Sequence, residues 1–206
     1  MALIIFDYDG VLADTLDDLI HFGQQACDQL DVKHVVTKAD LSNLEVMSFA
    51  TYGRACEVPE HLVDEFVKIS LKLFAEKKSP PAIFAGMREI IQHFSSNHKL
   101  AIVTTNSSQN VNLFLTQHGL DNLFHAVYGV DTPGSKAEKI SLARERFMEE
   151  SIFMIGDALS DIRAAKEAGV SSIAVKWGHQ SLETLQRGEP DFVVESPHEL
   201  LQAIER

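Results

Sequence analysis

The sequence is poor in cysteine, in positive charge and in long apolar stretches. Two cysteines, Cys27 and Cys56, stand among 206 residues without the spacing of a cysteine-based metal site, so we expect reduced thiols. A formal net charge of −12 excludes the broad basic surface that nucleic acid or an anionic membrane requires. The sequence has no run of about 18 apolar residues, and its first residues are not a basic region followed by a long apolar segment. We therefore expect a soluble cytoplasmic protein without nucleic-acid or membrane partners.

Short apolar runs are present instead, and amphipathic segments separate most of them. The chain is 45% hydrophobic, which is enough for one sizeable core or for a core and a small satellite domain. Buried strands that alternate with helices predict an α/β fold, a Rossmann-like parallel sheet with helices on both faces. The predicted strands are residues 3–6, 100–103, 126–130, 152–155, 173–175 and 192–194, and the predicted helices between them are residues 87–94, 111–118, 137–148 and 162–168.

Residues 15–83 interrupt this alternation. They contain helical patterns, among them residues 16–30 and 61–74, but no convincing strand. Pro80 and Pro81 form a natural boundary at the end of this stretch. We therefore predict a helical cap domain of residues 15–83, inserted into an α/β core domain of residues 1–14 and 84–206.

The first predicted strand ends in "DYDG", which places Asp7 and Asp9 one residue apart. Two residues of extended chain span about 6.6 Å and return the side chain to the same face, so both carboxylates can enter one cleft. Ligands bind at the carboxyl ends of the strands in open parallel sheets, which makes this position a candidate site. The alternative is a surface turn, since aspartate and glycine favour turns.

Two further strand ends carry groups that can bind an anion. Thr104 ends the second strand, where its hydroxyl and the backbone N–H groups of Thr105 and Asn106 can donate to an anionic oxygen. After the third strand, Ser135 and Glu138 form a capping-box pattern that makes Lys136 the first residue of a helix. A cation is unfavourable at that end of the helix dipole. Lys136 is therefore either a tolerated surface lysine or a charge placed beside an anion.

The fourth strand end adds Asp157 and, in the first turn of the following helix, Asp161. Carboxylates that converge on one sheet edge repel strongly, by roughly 4 kcal/mol for a pair about 4 Å apart at an effective dielectric near 20. A hard divalent cation relieves that repulsion, and oxygen ligands with few carboxylates suit Mg²⁺. Mg²⁺, a lysine and hydroxyl or amide donors around one carboxylate are typical of phosphoryl transfer. We therefore predict a phosphoryl-transfer site with Mg²⁺ as cofactor.

The motifs "DYDGVLADT", "VTTNS", Lys136 and "GDALSD", in this order, resemble the four motifs of the haloacid dehalogenase-like superfamily. The resemblance covers nearly the whole chain and is strongest to the phosphoglycolate-phosphatase-like branch. The predicted helical insert lies where that superfamily has its helical cap. The resemblance implies that Asp7 attacks phosphorus to give an aspartyl-phosphate and that Asp9 protonates the leaving group and later activates water. It also implies that Thr104 holds a phosphoryl oxygen and that Lys136 neutralises charge on the nucleophile and the phosphate. The third motif, which supplies this lysine, lacks a "KP" pair here, so Lys139 is a minor alternative to Lys136.

The metal ligands that the resemblance implies are the Asp7 side chain, the Asp9 backbone carbonyl and Asp157, with Asp161 supporting the metal shell. The expected activity is an Mg²⁺-dependent phosphatase acting on a small phosphorylated metabolite, such as phosphoglycolate or a sugar or nucleotide monophosphate. A phosphotransferase or phosphosugar mutase is one alternative, although Leu19 stands where the mutase branch carries a histidine. A non-catalytic phospho-ligand-binding protein is another.

The substrate-binding residues expected from the sequence are Thr105, Asn106 and Arg54. Arg54 or Tyr52 of the cap can lie over the cleft, and an arginine there suits a second anionic group of the substrate. A surface ion pair is the alternative role for Arg54. None of the nine histidines receives a role, and we expect a monomer or a homodimer.

Overall fold

The computed structural model describes residues 1–77 and 79–205, so Lys78 of the predicted cap and Arg206 of the predicted core lie outside the described residues. Among the described residues, no helix is long and apolar enough to cross a membrane. Two short 3₁₀ helices cover Glu60–Leu62 and Asp121–Leu123. In chain order the strands and α-helices are β1 (Ala2–Phe6), β2 (Ala13–Asp14), α1 (Leu16–Gln29), α2 (Ala39–Ser42), α3 (Phe49–Ala55), α4 (Val63–Glu76), β3 (Ala82–Ile83), α5 (Met87–Ser95), β4 (Lys99–Val103), α6 (Ser108–Gln117), β5 (Ala126–Tyr128), α7 (Lys136–Phe147), β6 (Ser151–Gly156), α8 (Leu159–Ala168), β7 (Ser171–Val175), α9 (Leu182–Gln186), β8 (Phe192–Val194) and α10 (Glu199–Ile204).

The centre of the fold is a parallel sheet of six strands in the order β5-β4-β1-β6-β7-β8. Strand β1 lies between β4 and β6, and its last residue, Phe6, is in register with Ile102 on one side and Ile155 on the other. The carboxyl ends of the three strands therefore lie side by side. This arrangement confirms the predicted Rossmann-like sheet and brings the polar residues after these strands to one edge.

Both faces of the sheet are covered, as the alternating side chains of β1 require. Ile4 and Phe6 pack into an apolar cluster with residues of α5, α6 and α10, whereas Leu3 and Ile5 pack into another with residues of α7 and α8. All four side chains are fully buried. The prediction of helices on both faces is confirmed.

Residues 15–83 contain α1 to α4, which enclose an apolar cluster of their own. Cys27, Cys56, Tyr52 and Phe66 lie in this cluster. Both cysteines are free and buried, as expected for reduced thiols. A helical unit with its own core supports the division into cap and core that the sequence predicts.

A small antiparallel ribbon joins this helical segment to the sheet. Strand β2 pairs with β3, with Ala13 opposite Ile83 and Asp14 opposite Ala82. The prediction of no strand within residues 15–83 is wrong at β3. Two-residue strands are too short to show the alternating pattern from which a strand is predicted, and only pairing with the residues before the cap reveals this one.

Candidate active site

The loop after β1 places Asp7 and Asp9 at the sheet edge. The Asp7 backbone N–H donates to the Ile155 carbonyl at 2.9 Å, so the backbone of Asp7 is still hydrogen-bonded to β6 and fixes the position of its carboxylate. The Asp7 side chain is buried, and its Oδ1 has no hydrogen-bond partner among the described residues. Burial, together with the charges of Asp157 and Asp9, raises the pKa of the Asp7 carboxyl despite the opposing charge of Lys136.

Lys136 supplies the positive charge in contact with this carboxylate. Ser135 caps α7 in a reciprocal capping box with Glu138, which makes Lys136 the first helical residue as predicted. Its ammonium nitrogen lies 3.1 Å from Asp7 Oδ2 and 2.6 Å from Asp161 Oδ1. Burial opposes the charged form, but the two carboxylates raise the pKa of Lys136 above its ordinary value. The unfavourable position on the helix dipole is therefore offset by an ion pair with two aspartates.

Asp157 follows β6 and is held in a narrow cradle. A Cβ built on Gly10 would lie 1.9 Å from Asp157 Oδ2, and one built on Gly178 would lie 2.3 Å from the Asp157 Cβ. The backbone N–H of His179 donates to Asp157 Oδ2 at 2.8 Å, and its Nδ1 lies 3.0 Å from the same oxygen. Burial acts to raise the pKa of Asp157, but the charge and hydrogen bonds of His179 hold it below its ordinary value.

Asp161 lies in the first turn of α8 and uses both of its oxygens within the protein. Oδ1 accepts from Lys136, and Oδ2 accepts from the backbone N–H of Ala158 at 3.1 Å. Burial raises the pKa of Asp161 to about 7, with Lys136 acting in the opposite direction. Asp161 therefore caps α8 and orients Lys136.

Asp9 and the loop after β4 meet across the site. The Asn106 side-chain amide donates to Asp9 Oδ2 at 3.1 Å. Burial raises the pKa of Asp9, while the hydrogen bond from Asn106 acts to lower it. Thr104 is buried, and its hydroxyl oxygen accepts the Asn106 backbone N–H at 3.1 Å. Thr105 is exposed.

The site satisfies the physical requirements for a divalent cation. One oxygen from each of Asp7, Asp157 and Asp161 lies within 4.8 Å of the others, and all three residues are buried. Carboxylate oxygens are the donors that Mg²⁺ prefers. The buried Asp7 Oδ1 needs a partner that the described residues do not provide. The residues present therefore fit the predicted metal.

Several residues proposed from the sequence are placed elsewhere. Arg54 is exposed and forms two hydrogen bonds with Glu60, at 2.9 and 2.6 Å, so its predicted substrate contact has no support in this structure. Tyr52 is buried in the cap cluster, where its hydroxyl donates to the Leu19 carbonyl at 2.8 Å. Lys139 donates to the Gly129 carbonyl at 2.7 Å, which leaves Lys136 as the lysine in contact with Asp7.

His179 is the residue of this site that the sequence reasoning missed. It lies in the turn after β7, at the same sheet edge as the other strand-end residues. Its side chain is buried against Asp157, and Nε2 lies 3.2 Å from the Thr15 hydroxyl oxygen. Its position after a parallel strand could have identified it from the sequence, because ligands bind at the carboxyl ends of parallel strands and this rule, which identified Asp7 and Asp157, applies equally to β7.

Comparison with known sequences reveals a family match over most of the chain. The family described as haloacid dehalogenase-like hydrolase matches residues 4–175. A phosphoglycolate phosphatase of Vibrio cholerae is 30% identical over 232 residues, covering 99% of this chain and 97% of that protein. A pyrophosphatase, PpaX, of Listeria innocua is 27% identical, covering 99% of this chain and 96% of that protein.

Solved structures share the fold over nearly the whole chain. A haloacid dehalogenase-like hydrolase family protein of Streptococcus pneumoniae superposes with a TM-score of 0.84 at 22% identity, covering 98% of this chain and 97% of that one. A predicted phosphoglycolate phosphatase of Haemophilus somnus superposes with a TM-score of 0.80 at 20% identity, covering 98% and 96% of the two chains. The arrangement of helical segment and sheet therefore recurs at low sequence identity.

The cradle around Asp157 predicts that Gly10→Ala is far more harmful than Gly119→Ala. Both glycines have positive φ, +76° and +65°, so alanine carries a similar backbone cost of about 1–2 kcal/mol at either position. Only at Gly10 does the new Cβ collide with Asp157, since nothing lies within 4 Å of a Cβ at Gly119. We expect Gly10→Ala to lose more stability in urea unfolding and to weaken Mg²⁺ binding in calorimetry. Equal loss of stability and unchanged Mg²⁺ binding in both variants would contradict the claim that Gly10 leaves no room for a side chain beside Asp157.

The raised pKa of Asp161 predicts a pH dependence of stability in the metal-free protein. The folded protein holds a proton on Asp161 up to a pKa of about 7, whereas the ordinary value is 3.8. Because the folded state binds more protons between these values, the free energy of unfolding decreases as the pH rises from about 4 to about 7. The raised pKa values of Asp7 and Asp9, which burial causes, act in the same direction.

Urea unfolding of EDTA-treated protein over this pH range checks the prediction. In Asp161→Asn, the slope of the unfolding free energy against pH should be shallower. Saturating Mg²⁺ should also make this slope shallower in the wild type, because the metal binds the deprotonated ligands. Asp121→Asn, at an exposed position, is the control and should leave the slope unchanged. An unfolding free energy that rises with pH in the metal-free protein would contradict the prediction, because it would show that the negative charge of these carboxylates is already compensated without the metal.

Proposed function

The chain belongs to the haloacid dehalogenase-like hydrolase family and is a phosphatase of that family, and we propose that it hydrolyses small phosphomonoesters with Mg²⁺ through an aspartyl-phosphate on Asp7. The observation that carries the proposal is the Asp7 carboxylate itself. It is buried, it has Lys136 on Oδ2, and Oδ1 has no partner among the described residues. One oxygen of this carboxylate therefore lacks a partner, which a bound cation would provide, and the cation and Lys136 would then offset the negative charge of a phosphoryl group.

Asp7 and Asp157 would hold the metal through their side chains, and the backbone carbonyl of Asp9 would complete the protein ligands. Asp161 would act indirectly, since Lys136 and the Ala158 N–H already occupy its two oxygens. When bound, Mg²⁺ supplies positive charge that stabilises the phosphoryl oxygens and the carboxylates around them. The oxygen-only donor set is the one that suits this ion.

The first chemical step would form a bond between an Asp7 carboxylate oxygen and phosphorus, as the bond from phosphorus to the leaving oxygen breaks. Asp9 would donate a proton to that oxygen, for which the raised pKa of its carboxyl is suited. Lys136 stays charged beside Asp7 and neutralises negative charge on nucleophile and phosphate. The product of this step is the free alcohol and an aspartyl-phosphate.

The second step would release phosphate with the same residues. Asp9, now deprotonated, takes a proton from water as the water oxygen attacks phosphorus, and the bond to Asp7 breaks. Asn106 holds the Asp9 carboxylate in place by its hydrogen bond at 3.1 Å. The Thr104 hydroxyl accepts from Asn106 and still has its own proton to donate to a phosphoryl oxygen. Backbone N–H groups of Thr105 and Asn106 are further candidate donors.

We propose that residues 15–83 form a cap over this site and select small substrates. The segment has its own apolar cluster and joins the sheet through the ribbon of β2 and β3, which supports a separate unit. Closure of such a unit would exclude bulk water and enclose a small metabolite better than a folded phosphoprotein. The relatives named phosphoglycolate phosphatase make phosphoglycolate the first substrate to test.

The mutase alternative gains no support from the cap. Leu19, at the position where that branch carries a histidine, packs against the cap cluster, and its carbonyl accepts the Tyr52 hydroxyl. An apolar side chain there provides no acid or base for a second phosphoryl transfer. Hydrolysis is therefore the reaction that the residues of this chain favour.

The proposed nucleophile predicts that Asp7→Asn abolishes turnover while the protein stays folded. The amide cannot attack phosphorus, and removal of one of several like charges should not destabilise the metal-free site. We expect wild-type protein to hydrolyse phosphoglycolate and other small phosphomonoesters only with Mg²⁺, and EDTA to abolish this reversibly. Phosphate release, thermal unfolding and a panel of phosphomonoesters are the measurements.

Asp121→Asn is the matched control, because it makes the same chemical change at an exposed position. It should retain the wild-type rate. Substantial residual turnover by Asp7→Asn, or full wild-type activity in EDTA, would contradict the proposed mechanism.

A further inference from the structure

His179 contacts two parts of the site with its two ring nitrogens. Nδ1 lies 3.0 Å from Asp157 Oδ2, and Nε2 lies 3.2 Å from the Thr15 hydroxyl oxygen. An ionised carboxylate only accepts hydrogen bonds, so Nδ1 must carry a proton. Nε2 can then accept from Thr15 or, in the imidazolium form, donate to it. The imidazole connects the two side chains in either protonation state.

These contacts orient the Asp157 carboxylate toward the proposed cation. The backbone N–H of His179 donates to Oδ2, Nδ1 lies 3.0 Å from the same oxygen, and no hydrogen bond from the described residues reaches Oδ1. One oxygen is thereby fixed within the protein, while the other is available as a metal ligand. The glycine cradle formed by Gly10 and Gly178 leaves the carboxylate little room to rotate away.

The turn that contains His179 also contacts the cap segment. The Ser181 backbone N–H donates to the Ser42 carbonyl at 2.9 Å. The Gln180 side-chain amide donates to the Leu44 carbonyl at 2.6 Å, while its oxygen accepts the Leu159 N–H at 2.7 Å. Thr15, the partner of Nε2, is the N-cap residue of α1, at the start of the cap segment. The turn therefore touches the candidate metal carboxylate on one side and the cap segment on the other.

We propose that His179 is a positioning residue, which holds the Asp157 carboxylate for the cation and ties it through Thr15 to the start of the cap. The proposal rests on the proposed function, since the orientation of Asp157 matters to catalysis only if Asp157 binds the metal. Groups that orient a metal ligand typically contribute roughly 10–100-fold to metal affinity or activity. The effect is expected in Mg²⁺ binding itself, before any substrate is added.

Calorimetric titration of metal-free protein with Mg²⁺ tests the proposal with three substitutions. His179→Ala removes both contacts and should weaken Mg²⁺ binding by roughly 10–100-fold. His179→Asn places an amide N–H near the position of Nδ1 and should recover most of that loss. His179→Gln carries its amide near the position of Nε2 and should not recover the lost Mg²⁺ affinity. His61→Ala, at an exposed histidine of the cap, is the control and should bind Mg²⁺ like the wild type.

The difference between asparagine and glutamine separates positioning from general stability. Both introduce an amide into the same buried space, so a merely structural role predicts similar losses of Mg²⁺ affinity in the two variants. The Michaelis parameters with phosphoglycolate at saturating Mg²⁺ add a second readout. His179→Ala should lower kcat more than it changes KM, because the displaced carboxylate acts on the reacting group rather than on substrate binding.

The outcomes distinguish this proposal from the proposed function. Wild-type protein that neither binds Mg²⁺ nor hydrolyses phosphomonoesters overturns both. Wild-type protein that does both, beside a folded His179→Ala that binds Mg²⁺ equally well, overturns only the role of His179. Should His179→Ala unfold, the other two variants decide, and equal affinities for His179→Asn and His179→Gln would overturn the role.

Discussion

Mutual repulsion among carboxylates at one edge of the sheet is the constraint that organises this protein. Asp7, Asp9, Asp157 and Asp161 meet at the end of adjacent strands, and Lys136 is the lysine in contact with them among the described residues. A pair of like charges about 4 Å apart costs roughly 4 kcal/mol at an effective dielectric near 20. That is comparable to the total stability of a domain, about 5–15 kcal/mol. The fold tolerates this edge because protons, a lysine or a cation compensate the charge, and in the proposed mechanism the same compensation makes the edge reactive toward a phosphoryl group.

The parallel sheet makes such a concentration of charge possible. Its register aligns the ends of β4, β1 and β6, so that each strand delivers its polar residue to one edge. Glycines at positions 10 and 178 let the backbone approach Asp157 more closely than any side chain permits. The helical segment contacts this edge through the turn after β7, where Gln180 and Ser181 bond to it. The helical segment and the candidate site are thereby linked directly through this turn.

Features carried by local pattern could be predicted from the sequence, and features that depend on long-range contacts could not. The strands, the capping box at Ser135 and the convergence of Asp7, Asp157 and Lys136 follow from apolar runs and from the rule that parallel strands end at one edge. The β2–β3 ribbon could not be predicted because its paired residues, Ala13 with Ile83 and Asp14 with Ala82, are far apart in the chain and leave no local pattern. His179 follows β7 by four residues, so the strand-end rule predicts the sheet edge on which it lies, but its contacts with Asp157 and Thr15 depend on the conformation of the turn and leave no local pattern. For Arg54, the sequence is compatible with a substrate contact and with a surface ion pair, and the structure has an ion pair with Glu60.

Trapping of the covalent intermediate is the most direct test of the central claim that Asp7 accepts the phosphoryl group. Asp9→Asn should still be phosphorylated by p-nitrophenyl phosphate, whose leaving group departs without a proton, but it lacks the base for hydrolysis. Rapid acid quench with Mg²⁺ present, followed by peptide mass spectrometry, should find phosphate on Asp7 and none in Asp7→Asn. Burst release of p-nitrophenolate without phosphorylated protein, or phosphate on another residue, would contradict the account.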